Sequence, residues 1–279
     1  MIDVIRQRLA AYDTSNSLLE EQALKEILQE CALYGLWRAG FFEVAAFQGG
    51  TSLRILHRLP RFSEDLDFIL KDTNPGFDWG PYLQGLRNCL LEFGVHCEVS
   101  DKGRMDQRIR KALLKDNSIA NQLELAFYRG RPQQKLRIKL EIDVNPPASS
   151  GYAYSYLDFP LDFEVCHQDL PSNFALKIHA LLCRPYLKGR DWFDFNWYVK
   201  QGVSSNLDHL SAALNQYGPW QGLKPDVDRE WLQRELQTRI DDIHWEQAVQ
   251  DVERFLAATE LVSLSLWSRD FFTTKLQQL

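Results

Sequence analysis

Residues 49–68, GGTSLRILHRLPRFSEDLDF, place a pair of glycines, a helical segment and a strand with two aspartates in close succession. Before them, residues 41–47 (FFEVAAF) are short and apolar like a buried strand, and the residues after the glycines are typical of a helix capped near Thr51. Apolar and polar residues then alternate, which predicts a strand with Asp65 and Asp67 on one face. This stretch therefore predicts a strand, a glycine turn, a helix and a returning strand.

The rest of the chain changes character along its length. The capping-box pattern Ser17-Leu18-Leu19-Glu20 predicts a first helix from about 17 to 38. Residues 134–145 (QKLRIKLEIDVN) alternate cleanly and predict a strand that ends at Pro146-Pro147. From about 170 onward the pattern is helical. We therefore predict an α+β domain over residues 1–165, with a mixed sheet, followed by a helical domain over residues 166–279.

Length and composition exclude several classes of protein. The chain has 279 residues, 45% of them hydrophobic and 25% charged, which argues against disordered and fibrous proteins. It has no apolar run of about 18 residues and no signal-peptide pattern, so we expect a cytoplasmic protein with no membrane segment. The cysteines are odd in number and form no CxxC pair, so we expect buried thiols rather than disulfides or zinc ligands. They are Cys31, Cys89, Cys97, Cys166 and Cys183.

The charge is unevenly distributed. The net charge is −6, but residues 102–139 hold eleven Lys and Arg against three Asp and Glu. This segment could bind a phosphate backbone or nucleotide phosphates, and a solvated basic face is an equally good interpretation. The cations concerned are Arg104, Arg108, Arg110, Lys111, Lys135, Arg137 and Lys139.

The glycine turn is a candidate phosphate site. Gly49, Gly50, Thr51 and Ser52 stand at the predicted start of a helix, where free backbone N–H groups and the helix dipole favour an anion. For such a pattern alone, an ordinary left-handed turn is the better interpretation. The interpretation of this turn as a phosphate site therefore depends on which residues lie around it.

Asp65 and Asp67 are candidate metal ligands. Two carboxylates held side by side are costly unless a cation neutralises them, and their oxygens suit Mg²⁺ or Mn²⁺. Glu141 and Asp143 share the polar face of the strand over residues 134–145, so either could supply a third carboxylate to a two-metal site. Period two places both on the same side, so the choice stays open; we favour Asp143. The alternative is a solvated strand face.

Four ordered segments together resemble a known family. GGTSLRILHRLPRFSEDLDF, KLEIDVNPP, LKIHALLCR and KGRDWFDFNWYV, spanning residues from about 40 to 200, are similar to successive blocks of the AbiEii/AbiGii nucleotidyltransferase toxins of the polymerase-β-like superfamily. The resemblance implies a nucleotidyltransferase domain and a helical domain. It also implies a toxin of a type IV toxin–antitoxin or phage-abortive-infection system, with some members transferring nucleotides to tRNA ends.

The resemblance also implies roles for individual residues. Gly50 and Thr51 or Ser52 would hold phosphates, and Asp65 and Asp67 would bind metal. The conserved lysine of the family falls on Lys177 and its RD-x-x-D block on Arg190, Asp191 and Asp194.

Helical spacing adds to these assignments. Lys177 and Arg184 would share one helix face and could stabilise triphosphate oxygens, while Asp191 or Asp194 could orient Lys177 or act as a base. A structural salt bridge between Lys177 and Asp191 is an equally good interpretation. The aromatic residues of segment 192–198 fit core packing better than base stacking.

The leading hypothesis is thus a Mg²⁺-dependent enzyme that transfers a nucleoside monophosphate from an NTP to an RNA end, in particular that of tRNA, and releases pyrophosphate. Its partner would be a cognate antitoxin, a DNA-binding regulator encoded beside it. The alternatives are nucleotidylation of a protein or small molecule, and a non-catalytic binding protein on a degenerate scaffold.

Overall fold

The structure is a computed structural model that describes residues 2–104, 108–116, 119–123, 125 and 136–279. Contacts divide the chain into two compact units. The first unit comprises Met1–Leu56, Phe62–Pro146 and Tyr154–His167, and the second comprises His57–Arg61, Pro147–Ala153 and Gln168–Leu279. The domain limits 1–165 and 166–279 stay a prediction. No helix among the described residues is long and apolar enough to cross a membrane.

The sheet has seven strands in the order β3-β4-β5-β2-β1-β7-β6. It is mixed, because β1 pairs antiparallel with β2 and parallel with β7, while β2 pairs parallel with β5. The α+β class predicted from the sequence is therefore confirmed. The strands are β1 Ala45–Gln48, β2 Leu66–Leu70, β3 Cys97–Arg104, β4 Ile109–Asp116, β5 Leu136–Asp143, β6 Tyr152–Leu157 and β7 Phe163–Gln168.

Helices of the first unit precede or connect these strands: α1 Ile2–Leu9, α2 Ser17–Arg38, α3 Gly49–His57, α4 Gly80–Glu92 and α5 Ile119–Gln122. The second unit is mainly helical, with α6 Leu170–Cys183, α7 Gly189–Lys200, α8 Leu207–Gln216, α9 Arg229–Asp241, α10 Trp245–Glu253, α11 Ala258–Leu261 and α12 Arg269–Leu276. The helical pattern after about residue 170 is confirmed.

Helix α2 has the predicted bounds but not the predicted cap, and it is the second helix rather than the first. Asn16 caps it, since its side chain accepts hydrogen bonds from the backbone N–H groups of Leu18 and Leu19. Asn16 reaches the N–H groups of the first turn from outside the helix, whereas Ser17 is already its first residue. The predicted capping box was therefore wrong by one position.

The strand predicted over residues 41–47 was partly wrong. Phe41–Glu43 form a 3₁₀ turn, and the strand occupies only Ala45–Gln48. Phe41 packs in an aromatic cluster instead, stacked on Trp79 at 5.4 Å between ring centroids. The apolar residues of segment 41–47 thus correctly indicate that this segment is buried, but the buried residues belong to a 3₁₀ turn as well as to a strand.

Strand β5 follows its predicted alternation. Leu136, Ile138, Leu140 and Ile142 are buried, and Arg137 and Lys139 are exposed. Because β2 and β5 are parallel neighbours, the polar residues of both strands lie on one face of the sheet. We call this surface, with Asp65, Asp67, Glu141 and Asp143, the carboxylate face.

Candidate functional site

Gly49 lies at the turn between β1 and α3 and meets two requirements that favour glycine. Its φ is 77°, in the left-handed region. A Cβ at this position would also lie 2.9 Å from the Asp67 Oδ2 atom. Glycine therefore lets the Asp67 carboxylate come close to the turn, a second role that the sequence did not indicate.

The hydroxyl groups after the glycines are used within the turn. Thr51 is fully buried and donates a hydrogen bond to the Asp65 carbonyl oxygen. Its Oγ1 also lies 2.8 Å from the Oγ of Ser63. Ser52 donates to the Gly49 carbonyl oxygen at 2.8 Å. In this arrangement the two side chains stabilise the turn and connect it to the start of β2.

Strand register decides which acidic residues are neighbours on the carboxylate face. Asp67 is paired with Glu141 across the β2–β5 boundary, and Ile69 is paired with Asp143. Glu141 therefore lies beside Asp67, whereas Asp143 lies one step further along the face. The register favours Glu141 as the third carboxylate, although we favoured Asp143 from the sequence.

Asp65, Glu141 and Asp143 on this face each have a cationic neighbour. Salt bridges join Asp65 to Lys139 at 3.7 Å, Glu141 to Lys111 at 2.7 Å and Asp143 to Arg108 at 2.8 Å. Asp143 also accepts a hydrogen bond from the Asn145 backbone N–H at 2.9 Å. The Asp65 pair is the longest and most exposed of the three, so it costs least to exchange for another ligand.

The carboxylate face offers oxygen ligands of the kind that hard divalent cations prefer. No three or more His, Cys, Asp or Glu side chains in the described parts of the chain are grouped so that they could hold a metal ion. Asp67 and Glu141 are nevertheless cross-strand neighbours, and Asp65 shares their face. Oxygen ligands of this kind fit Mg²⁺ or Mn²⁺. Asp67 would be the central ligand, because it lies between Asp65 and Glu141 on this face.

Three described cations of the basic segment, Arg108, Lys111 and Lys139, lie beside this face. Arg108 and Lys111 pair with its carboxylates, while Arg110 donates to the Pro75 carbonyl oxygen at 2.8 Å. Lys135 lies outside the described residues, as does the side chain of Arg104. The described cations thus neutralise acidic residues as well as adding positive charge.

The second unit contains a buried charge network, formed by Arg61, Lys177, Arg184, Asp191 and Asp194. Lys177 Nζ lies 2.8 Å from both Asp191 Oδ1 and Asp194 Oδ2. Arg184 contacts the other oxygen of Asp191 at 2.6 Å. Arg61 forms a two-pronged contact with Asp194, with both N–O distances 2.6 Å. Lys177 and Arg184 therefore converge on Asp191, as their helical spacing indicated.

Charge pairing outweighs burial in this network. Burial alone would raise the pKa of Asp191, but Lys177 and Arg184 lower it to about 2. Burial would likewise lower the pKa of Lys177, yet Asp191 and Asp194 raise it above its usual value. Asp191 is consequently ionised and poorly suited to accept a proton. Of the two roles considered from the sequence, orienting Lys177 fits this geometry better than acting as a base.

Sequence reasoning missed Arg61, whereas the family resemblance led us to expect Arg190 to bind nucleotide, which stays a prediction. Arg61 is almost fully buried and lies 133 positions before Asp194, so no local pattern signals their contact. Arg190 stacks over the Phe255 ring at 4.2 Å, and its backbone N–H donates to Asp251 at 3.4 Å. Arg190 therefore has partners of its own, apart from the contacts around Asp191.

Two further predictions concern buried residues. The aromatic side chains of segment 192–198 are buried, which confirms core packing: Trp192, Phe193, Phe195, Trp197 and Tyr198. Four of the five cysteines are buried as predicted, and Cys183 is partly exposed.

Comparisons with known proteins place this geometry in context. The family model described as nucleotidyl transferase AbiEii toxin, type IV TA system, matches residues 31–273. No curated protein matches the chain. Among solved structures, a candidate nucleotidyltransferase from H. pylori is 16% identical with a TM-score of 0.49, and JHP933 from Helicobacter pylori is 16% identical with a TM-score of 0.48. In each case 89% of this chain and 88% of the other are covered.

Proposed function

Because this chain belongs to the AbiEii family of nucleotidyltransferase toxins of type IV toxin–antitoxin systems, we propose that it transfers a nucleoside monophosphate from an NTP to an RNA end in a Mg²⁺-dependent reaction. The observation that carries the proposal is the approach of Asp67 to the Gly49 turn, where a Cβ would lie 2.9 Å from the carboxylate. A phosphate-binding turn and a metal-binding carboxylate in contact are what this chemistry needs.

In the proposed reaction the acceptor hydroxyl oxygen bonds to the α-phosphorus of the NTP. The bond from that phosphorus to the α–β bridging oxygen breaks, pyrophosphate leaves, and the hydroxyl proton passes to solvent. Asp65, Asp67 and either Glu141 or Asp143 would hold Mg²⁺ or Mn²⁺. Such an ion lowers the pKa of an attacking hydroxyl and offsets the charge of the leaving group.

The other residues of the chain would bind and orient. Backbone N–H groups at Gly49 and Gly50 would bind phosphate oxygens, with Thr51 and Ser52 keeping the turn in shape. Lys177 and Arg184 would bind triphosphate oxygens, and Asp191 would act as a positioning residue, because it contacts both cations. The family implies an antitoxin partner, which we propose is a DNA-binding regulator encoded beside the toxin.

The decisive experiment supplies each α-labelled NTP with Mg²⁺ and total tRNA to the purified protein. We expect label on RNA for the wild type and none for Asp67→Asn. Asp72→Asn is the matched control, because Asp72 follows the same strand but is exposed, and it should label RNA normally. Label on no acceptor at all would refute the enzymatic proposal.

Two other outcomes would redirect the proposal. Label on protein or on a small molecule would keep the transfer chemistry and remove RNA as the acceptor. Toxicity in cells that persists in Asp67→Asn would favour a non-catalytic protein that acts by binding.

A further inference from the structure

The second unit contains a cavity of about 200 Å³ next to its charge network. Arg184, Lys188, Asp191, Arg239 and His244 are among the residues that line it. Sites for drug-sized ligands usually exceed about 300 Å³, so this cavity suits a compact group rather than a whole nucleotide.

Lys188 is the unusual residue in this cavity. It is half-buried, and within the described part of the chain its ammonium group forms no ion pair. Both oxygens of Asp191, the nearest acid, are already engaged by Lys177 and Arg184. Burial lowers the pKa of Lys188, and the attraction of Asp191 does not restore it against repulsion from Lys177, Arg190 and Arg184. The ammonium therefore has charge that the folded chain leaves uncompensated.

The charges around the cavity favour an anion. Three cations, Arg184, Lys188 and Arg239, line it together with two carboxylates, Asp191 and Asp242. Lys177, which does not line the cavity, neutralises Asp191 further. Arg239 donates to the carbonyl oxygens of Leu181 and Arg184, both at 3.1 Å, which braces the end of α6. The donors offered to a ligand are then the Lys188 ammonium, the Arg184 N–H groups other than the one that contacts Asp191, and a ring N–H of His244.

We propose that this cavity is an anion subsite for a pyrophosphate group, bound by Lys188, Arg184 and His244. Phosphate oxygens accept hydrogen bonds from all three donors, and the two cations offset much of the charge of a compact diphosphate. The identity of the physiological ligand, the β- and γ-phosphates of an NTP or released pyrophosphate, rests on the proposed function. The anion site itself does not depend on it.

Titration calorimetry with inorganic pyrophosphate, in EDTA and without RNA, tests the site directly. We expect binding to the wild type and an affinity at least about 10-fold weaker for Lys188→Gln, because a charge-assisted hydrogen bond is lost. Lys200→Gln is the matched control, since Lys200 is an exposed lysine at the end of α7, and it should bind normally. Equal affinity of Lys188→Gln and the wild type would overturn the proposal.

A second measurement uses the wild-type protein, so it does not depend on a variant that folds. An amine-acylating reagent should modify Lys188 in the free protein, and pyrophosphate should slow this at Lys188 but not at Lys200, as read by peptide mass spectrometry. Equal rates at Lys188 with and without pyrophosphate would contradict the site.

Two control experiments distinguish a failure of the anion subsite from a failure of the proposed nucleotidyl transfer. Asp67→Asn should keep pyrophosphate binding in EDTA while losing label transfer, whereas a failure of label transfer alone leaves the subsite standing. An NTP should compete with pyrophosphate if the ligand is a triphosphate tail. A 5′-phosphorylated oligonucleotide that competes better than the NTP would overturn the pyrophosphate assignment.

Discussion

The carboxylate face of the first unit and the charge network of the second unit differ in how far their ion pairs are exposed. On the carboxylate face of the first unit, the Asp65–Lys139 pair is 3.7 Å long, with side chains 36% and 56% exposed. In the second unit, Asp194 is fully buried between Arg61 and Lys177 at 2.6 and 2.8 Å. Exposed pairs exchange partners at little cost, whereas buried pairs are costly to disrupt. The exposed Asp65 pair suits a place where ligands come and go, and the buried pairs of Asp194 suit a support that holds Lys177 in place.

The largest expected effect follows from breaking the buried network. Asp194→Asn should lower the free energy of unfolding by about 3–5 kcal/mol, because it leaves Arg61 buried without its carboxylate and removes one of the two carboxylates that pair with Lys177. Urea unfolding measures this change. Asp226→Asn, at an exposed position of the same unit, should change it by less than about 0.5 kcal/mol. A loss below about 1 kcal/mol for Asp194→Asn would show that the network does not stabilise the unit.

The reverse pattern is expected on the carboxylate face. Asp67→Asn should reduce label transfer by about 100-fold or more, since even outer-shell changes at metal sites cost 10–100-fold. Its free energy of unfolding should stay within about 1 kcal/mol of the wild type, because the side chain is only partly buried and the change removes a like charge beside Glu141. Parallel urea unfolding and transfer assays separate the two effects. Equal loss of stability in Asp67→Asn and Asp194→Asn would remove the contrast between the units.

Acid should affect the network through Asp191. Its folded pKa of about 2 lies below the ordinary value of 3.8, so its pairing stabilises the fold above pH 3.8, and this contribution is lost as the pH falls through about 2. A depression of that size corresponds to roughly 2 kcal/mol. Urea unfolding at pH 5, 3 and 2 should show a steeper decline for the wild type than for Asp191→Asn. Parallel declines in the two proteins would argue against this assignment.

The smallest effect is expected at the exposed pair. Lys139→Gln should change the free energy of unfolding by less than about 1 kcal/mol, and by less still in high salt, because its contact with Asp65 is long and solvated. Urea unfolding at low and high ionic strength checks this. A large, salt-independent loss would place Lys139 in a structural role like that of Arg61.

Local patterns predicted much of the first unit but not its pairings. The alternation of residues 134–145 predicted β5, and the glycine pair predicted the turn before α3. The same alternation could not choose between Glu141 and Asp143, because residues two apart share a face whatever the register. Only the pairing of β2 with β5 brought Glu141 beside Asp67.

In the second unit, helical spacing predicted the partners within α6 and α7 but not those further away. Lys177 and Arg184 were expected to share a face, and both contact Asp191. The Arg61 contact with Asp194 joins residues far apart in the chain, and Arg61 stands in no periodic segment. Lys188 gave no signal either, because the sequence shows that a lysine is present but not that the carboxylate near it, Asp191, is already engaged by Lys177 and Arg184.

The sequence by itself determined the glycine turn, β2 and β5, α2 and α3, the helical pattern after about residue 170 and the family, because backbone preferences, burial periods and ordered motifs are properties of neighbouring residues. The tertiary structure alone decided which acid lies beside Asp67, which cations pair with Asp191 and Asp194, and that the half-buried Lys188 forms no ion pair within the described residues. Those choices depend on strand register and on contacts between residues that are far apart in the sequence. A buried charge is costly without a partner, and no local sequence pattern specifies which distant residue that partner is.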